Sequence, residues 1–214
     1  WEKILTNKKI PQERNYDNKE FVDYSRQGFS DSFENVVQED PERYITLVIE
    51  NKNDVFDEYI IALFRGVAYS KKLKDVSSRL LEKMILSFEY SHQHAIASYI
   101  CEIIKKRSDI QWNIDILNIV VDLATNYQHT ILSQDEELDT FDKILNKSLN
   151  SVSGDISSAI SVLISTNKDL FSFFESSIVS LINGENIVVQ FSSLTILFSA
   201  LKINKEWATK NILQ

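Results

Sequence analysis

The residues nearest to a metal-ligand pattern are His92 and His94, with Cys101 seven positions beyond the second histidine. Positions two apart on a helix point to different sides, and no second Cys or neighbouring His completes a tetrad, so the pair reads as surface histidines near a helix start. His129 stands alone in a polar stretch. Asp135, Glu136, Glu137 and Asp139 lie together, but without the alternating ligands and the glycine of an EF-hand loop. Serines are dense between Ser151 and Ser199, yet none has a His near in sequence or sits in a Gly-x-Ser-x-Gly turn. Small hydroxyl residues also suit close helix–helix contacts, and that is the role expected of them. The glycines Gly28, Gly66, Gly154 and Gly184 are isolated, and none precedes Lys-Ser/Thr as a phosphate-binding loop requires. Trp112 and Trp207 each stand near an expected helix start and read as packing anchors. No catalytic residue, no cofactor-binding residue and no metal ligand is assigned, and the segment is expected to be non-enzymatic.

The composition does not name a function, but it excludes some. The 214 residues carry 23 Lys+Arg against 31 Asp+Glu, a formal charge of −8. That balance argues against nucleic acid as a partner, because phosphate contacts need clustered cations. Lys71, Lys72, Lys74, Arg79 and Lys83 do lie close together, and on a helix they form a solvated face. Cys101 is the single cysteine, so no intramolecular disulfide forms, and a reducing cytoplasm is the expected setting. The longest uncharged run lies between Glu185 and Lys202. It is too short for a bilayer span and carries Gln190, Ser192, Ser193, Thr195 and Ser199, so it reads as a buried helix and no membrane association is expected. The start, Trp1-Glu2-Lys3-Ile4, has neither an apolar leader nor an initiating Met, which suggests a piece of a longer protein.

The elements that must position these residues are helices. Four Gly and two Pro are too few for the recurring tight turns of a β-sandwich. From residue 41 onward the apolar residues follow a helical period. Asp40-Pro41-Glu42 opens one helix, with Asp40 as N-cap and Tyr44, Leu47 and Val48 inward. Residues 55–69 form the next, through Tyr59, Ile60, Leu63, Phe64 and Val67. Asp75 is expected to cap a helix carrying Val76, Leu80, Met84 and Phe88. Residues 92–107 follow, with Ile96, Tyr99, Ile100 and Ile103 inward, then 113–126 on Ile116, Ile119, Val120 and Leu123. The stretch 127–139 reads as a solvated loop and a seam between two lobes. Helices over 140–150, 154–166, 168–182 and 187–203 come next, with a short last one from Lys205. Over the first 30 residues the pattern is weaker: Phe21, Val22 and Tyr24 suggest one short helix before Phe33 to Val37, in a stretch expected to be partly extended.

This makes about ten helices with short connections, which places consecutive helices antiparallel. So many antiparallel helices do not share one compact core easily, whereas an open stack of helix pairs extends indefinitely. The expected fold is therefore all-α, an α-solenoid (superhelix) of HEAT/TPR-like pairs in a single domain over 1–214, with a pair spacing of about 35–40 residues.

Three segments, in order, carry a resemblance. The first is Asp40-Pro41-Glu42-Arg43-Tyr44, followed by Tyr59-Ile60-Ile61-Ala62-Leu63-Phe64-Arg65-Gly66. The second is Leu149-Asn150-Ser151-Val152-Ser153-Gly154, opening a helix with Ala159, Ile160 and Leu163. The third runs from Leu181-Ile182-Asn183-Gly184-Glu185-Asn186 through Ile187-Val188-Val189-Gln190 to Lys205-Glu206-Trp207-Ala208. Over residues 40–208 this order resembles the HEAT-like helical-repeat region of bacterial STAND-type signalling ATPases, the NACHT-like group of anti-phage defence. The sequence departs from that pattern at Ser153 and Gln190, where the family usually has Arg, so an Arg–Asp ladder between repeats is not expected.

The resemblance implies a role: the ligand-sensing, protein-binding region of an antiviral ATPase, with a phage protein as partner. ATP and Mg would belong to an upstream domain of the parent, which would oligomerise on activation. Two other readings fit the residues, a stand-alone helical-repeat scaffold of a cytosolic complex and a HEAT-like DNA-repair glycosylase. The net charge stands against the second.

Overall fold

The computed structural model describes residues 1–12, 25–88, 95–126 and 140–212. They form twelve α-helices and one 3-10 turn, with no strand among the described residues. The chain is all-helical. It divides into two compact units, Trp1–Ile103 and Ile104–Gln214. The seam expected at 127–139 lies outside the described residues, as does the expected helix around Phe21 to Tyr24.

The first unit holds α1 (Glu2–Leu5), α2 (Arg26–Glu39), α3 (Pro41–Glu50), α4 (Asp57–Tyr69), a 3-10 turn (Leu73–Asp75) and α5 (Ser78–Leu86); α6 (Ala97–Lys106) runs across the boundary. Helix α2 starts well before Phe33, because the Ser25 hydroxyl accepts the Gly28 N–H at 3.1 Å and sets the first turn there. Phe33 from α2 is the hub of the core. Trp1, Tyr44 and Tyr59 surround its ring at centroid distances of 5.1, 5.5 and 6.1 Å, the last two edge-on. Helices α2 and α4 pack most closely, and Gly66 allows it: a Cβ there would stand 2.7 Å from both Cβ and Cγ1 of Val37. The Ser70 hydroxyl closes the end of this pair by donating to the Gln38 carbonyl at 2.6 Å.

Of the two expected caps, Asp40 stands where expected and Asp75 does not. Asp40 occupies the N-cap position of α3 but makes no side-chain cap bond. Asp75 ends the 3-10 turn, and Ser77 caps α5 instead, its Oγ accepting the Leu80 N–H at 3.3 Å. The inward stripe of α5 rotates accordingly: Leu81, Met84 and Ile85 are buried while Leu80 is half-buried, and Val76 and Phe88 are buried just outside the helix ends. Leu47, Tyr99 and Ile119, each expected inward, are half-buried.

The second unit holds α7 (Ile114–Asn126), α8 (Phe141–Leu149), α9 (Val152–Thr166), α10 (Leu170–Ile182), α11 (Ile187–Ala200) and α12 (Lys205–Ile212). Five of its six helix starts are set by Ser, Thr and Asn side chains, α10 being the exception. Asn113, Thr140, Ser151, Asn186 and Asn204 accept the N–H groups of Ile116, Lys143, Gly154, Val188 and Trp207 at 3.0, 3.4, 3.1, 2.9 and 3.1 Å. Such caps contribute about 1 kcal/mol each and do the work that Gly and Pro do in other folds. Here too helices pack on their next-but-one neighbours, α7 on α9 and α9 most closely on α11.

Candidate functional site

The serines come together between α9 and α11. Ser153, Ser157, Ser161 and Ser165 repeat every four residues and therefore share one face of α9. At one end, Ser153 Oγ lies 2.8 Å from Ser151 Oγ and 3.4 Å from Ser192 Oγ of α11. Ser151 Oγ donates to the Ser148 carbonyl at 3.1 Å, and Ser192 Oγ is placed to donate to the Val188 carbonyl at 2.8 Å and to the Ser148 carbonyl at 3.1 Å. With the Ser151 proton on Ser148 and the Ser192 proton on a carbonyl, the single Ser153 proton serves one or the other of its two hydroxyl neighbours. At the other end, Ser165 donates to Ser199 at 3.0 Å, Ser199 Oγ lies 2.7 Å from Ser161 Oγ, and Ser161 reaches the Thr195 carbonyl at 3.3 Å. Between the two networks, Ser157 Oγ is fully buried with no partner. Each hydroxyl of the two networks is committed to another hydroxyl or to a main-chain carbonyl. Ser153 thus takes part in a hydroxyl ladder between next-but-one helices. Gln190 bonds locally, its Nε2 donating to the Gly184 carbonyl at 2.8 Å.

His92, His94, His129, Asp135, Glu136, Glu137 and Asp139 lie outside the described residues. Cys101 is fully buried in α6. Among the described residues no three His, Cys, Asp or Glu gather as a metal site requires, and no helix is long and apolar enough to cross a membrane. Lys71, Lys72, Lys74, Arg79 and Lys83 are all exposed along the 3-10 turn and α5. Trp207 packs edge-on against Phe171 at 5.0 Å. Trp112 is buried at the end of the α6–α7 connection.

Two polar groups of the first unit have perturbed protonation. Burial, with the Glu58 carboxylate nearby, pushes the Tyr59 hydroxyl up to about 12 against the opposing effect of Arg26. The hydroxyl has no hydrogen-bond partner. Burial works against the charge on Arg65, but the Glu34 carboxylate in contact with it and Asp31 at 3.4 Å more than offset this and raise its pKa.

What the sequence reading missed is a surface. Helix α8 buries Ser148 and turns Phe141, Leu145 and Leu149 outward; Phe141 is 62% and Leu149 61% exposed. Helix α11 buries Val188, Val189, Ser192, Ser193, Ile196 and Leu197, leaving Ile187, Phe191, Leu194 and Phe198 on its outer side, with Phe198 67% exposed. The two helices pack together, and the Phe141 and Phe191 rings meet edge-on at 5.6 Å, which joins the two stripes. Exposed phenylalanines of this kind leave on the order of 100–150 Å² each in water. The joined stripe therefore reaches several hundred Å², the size at which an apolar patch marks an interaction surface. It continues into a groove of about 480 Å³ between α10, α11 and α12, where Leu194 and Ile212 stand at the edge. Helix α11 carries no charged residue along its whole length. The signal was present as the i, i+4, i+8 spacing of Phe141, Leu145 and Leu149, but the same spacing serves a buried face. No protein family, curated protein or solved structure matches this chain.

Proposed function

We infer that the chain is a non-catalytic, protein-binding helical-repeat module, the ligand-sensing region of a bacterial antiviral STAND ATPase, whose ligand is a phage-encoded protein. The observation that carries the binding role is the uncharged apolar face of α8 and α11. Its occupant is a protein surface that is itself apolar and uncharged at its centre, because a charge laid against Phe191, Leu194 and Phe198 would lose its water and gain no partner. The next-but-one packing in each unit, α2 on α4 and α3 on α5, then α7 on α9 and α9 on α11, supports a solenoid built from stacked antiparallel pairs. The ordered motif patches support the assignment to the ATPase group, and the cytoplasm is the compartment in which such a sensor meets its ligand.

The test has two arms. The reading frame that contains this chain is expected to encode a P-loop NTPase upstream of Trp1; if it encodes none, the ATPase assignment fails. Separately, the purified chain is titrated against individually expressed phage structural proteins at about 50 mM and about 500 mM salt. One of them should bind with an affinity that salt leaves nearly unchanged, and Phe141→Ser with Phe198→Ser should weaken it at least tenfold. Binding that collapses with salt, or that ignores both substitutions, rules out the apolar face as the docking surface. A partner present equally in uninfected cells would instead favour the scaffold reading.

A further inference from the structure

The face of α8 and α11 answers the description of its own occupant. It is apolar and uncharged at its centre, and a second copy of the chain presents the same surface. We propose that, when no ligand is bound, a second copy of this chain covers the face about a two-fold axis, and that the ligand must displace that copy. The inference rests on the docking reading of the face given above.

The area is sufficient. Phe141, Leu145, Leu149, Ile187, Leu194 and Phe198 are between 36% and 67% exposed. Side chains of these types at that exposure leave on the order of 500–600 Å² in water. Two such faces pressed together bury about 1,000–1,200 Å², the lower limit for a specific interface. A bare patch of this extent lies at the upper end of what monomers tolerate.

The shape suits a two-fold pairing. Ser192 of α11 reaches the Ser148 carbonyl of α8 at 3.1 Å, so α8 flanks α11 on the Ser192 side. Gln190, Ser193 and Leu197 line the groove between α10, α11 and α12. At about 100° per residue these three positions fall on the other flank of the stripe from Ile187 to Phe198. The face therefore has a ridge of Phe141, Leu145 and Leu149 on one side of α11 and a groove of about 480 Å³ on the other. A two-fold axis running along α11 lays the ridge of each copy over the groove of its partner, so the same contact is made twice.

Charge gives the pairing a signature. No charged residue lies in α11, so the stripe meets its own copy without like charges in contact. Each chain nevertheless carries −8 overall, and two copies repel at long range until salt screens them. Association through this face is expected to hold or tighten as salt is added, the opposite of an ionic contact.

Sedimentation equilibrium of the whole chain from about 1 to about 300 µM, with no ligand present, tests the proposal. An interface of this size should give a monomer–dimer equilibrium with a dissociation constant of about 1–100 µM, unchanged or tighter between about 50 and about 500 mM salt. Leu149→Ser on the ridge and Ile212→Ser at the groove, both at exposed positions, should each weaken it at least tenfold. Ile114→Ser, at an exposed position of α7 outside the face, should leave it unchanged. A chain still monomeric at about 300 µM, species larger than a dimer, dissociation on adding salt, or indifference to the ridge and groove substitutions each overturns the proposal. The docking reading fails separately. A phage protein that replaces one copy supports both, and one that binds while the dimer stays whole supports the dimer and moves the docking surface elsewhere. A chain that never dimerises yet binds such a protein through this face overturns the dimer alone.

Discussion

Gly154→Ala puts the α8–α9 junction under direct load. Gly154 is the third residue of α9, and its N–H is the one capped by Ser151. A Cβ on Gly154 would collide with the Ser148 carbonyl oxygen and sit 3.3 Å from the Leu149 oxygen. Backbone cannot swing aside as a side chain can, so the last turn of α8 must move. The Ser148 carbonyl accepts from Ser151 and Ser192, and moving it breaks or lengthens both bonds. Two net hydrogen bonds contribute about 1–3 kcal/mol together, and a carbonyl left buried without partners costs a further 1–3 kcal/mol. Alanine recovers at most about 1 kcal/mol through its better helix propensity, less in a first turn. The expected net loss is about 3 kcal/mol, or roughly 6–12 °C in melting temperature for a chain of this size. Denaturant unfolding in a Trp1→Phe background reads the second unit alone, through Trp112 and Trp207. Gly184→Ala is the control, because its Cβ would find only ordinary contacts at 3.5–3.9 Å. That change should be neutral or stabilising by about 0.4–1 kcal/mol. If Gly154→Ala costs less than about 1 kcal/mol, or the two variants behave alike, the steric argument is wrong.

Gly66→Ala should cost about 1–2 kcal/mol, since Val37 and the Glu34 carbonyl oxygen at 2.9 Å force α2 and α4 apart by more than helix propensity returns, as urea unfolding of the first unit will show. Tyr59→Phe removes a buried hydroxyl without a partner and should gain about 1 kcal/mol at neutral pH. The raised Tyr59 pKa has a defined sign: below its ordinary 10.0 the phenol is neutral folded or unfolded, and between there and about 12 only the unfolded chain ionises. Wild type should therefore lose up to about 3 kcal/mol over that alkaline window, a loss absent from Tyr59→Phe in pH-dependent denaturation. Ser192→Ala should cost about 1–2 kcal/mol by unpairing the Ser148 and Ser153 side of the seam, whereas Ser157→Ala, which deletes an unpaired hydroxyl, should be neutral or stabilising; thermal melts of the two separate the cases.

Much of the helical layout was legible because long periodic stretches leave little choice. The starts and ends of α3 and α7, and the start of α12, lie within a residue or two of the polar breaks in the sequence. The caps were less legible. Asp75 and Ser77 are both good N-cap residues, and the choice went to Ser77 because its backbone is extended, φ −64° and ψ 144°, while Asp75 is turned into a 3-10 helix. The seam of α9 was foreseen only as small residues in close contact. Its directionality was hidden, because hydroxyl pairing depends on which helix lies opposite. The apolar face was not foreseen at all: periodicity shows that Phe141, Leu145 and Leu149 share a side of α8, and nothing local tells whether another helix covers it.

The hydroxyl seam has a calorimetric consequence. Ordinary helix pairs meet through methyl groups, whose hydration on unfolding raises the heat capacity, while hydration of polar groups lowers it. The α9–α11 contact exposes Ser153, Ser157, Ser161, Ser192 and Ser199 on opening. The second unit therefore unfolds with a smaller heat-capacity increment than an aliphatic helix stack of the same length. Its stability curve is correspondingly flatter, and α9 and α11 stay joined over a broader span of temperature for the same maximum stability.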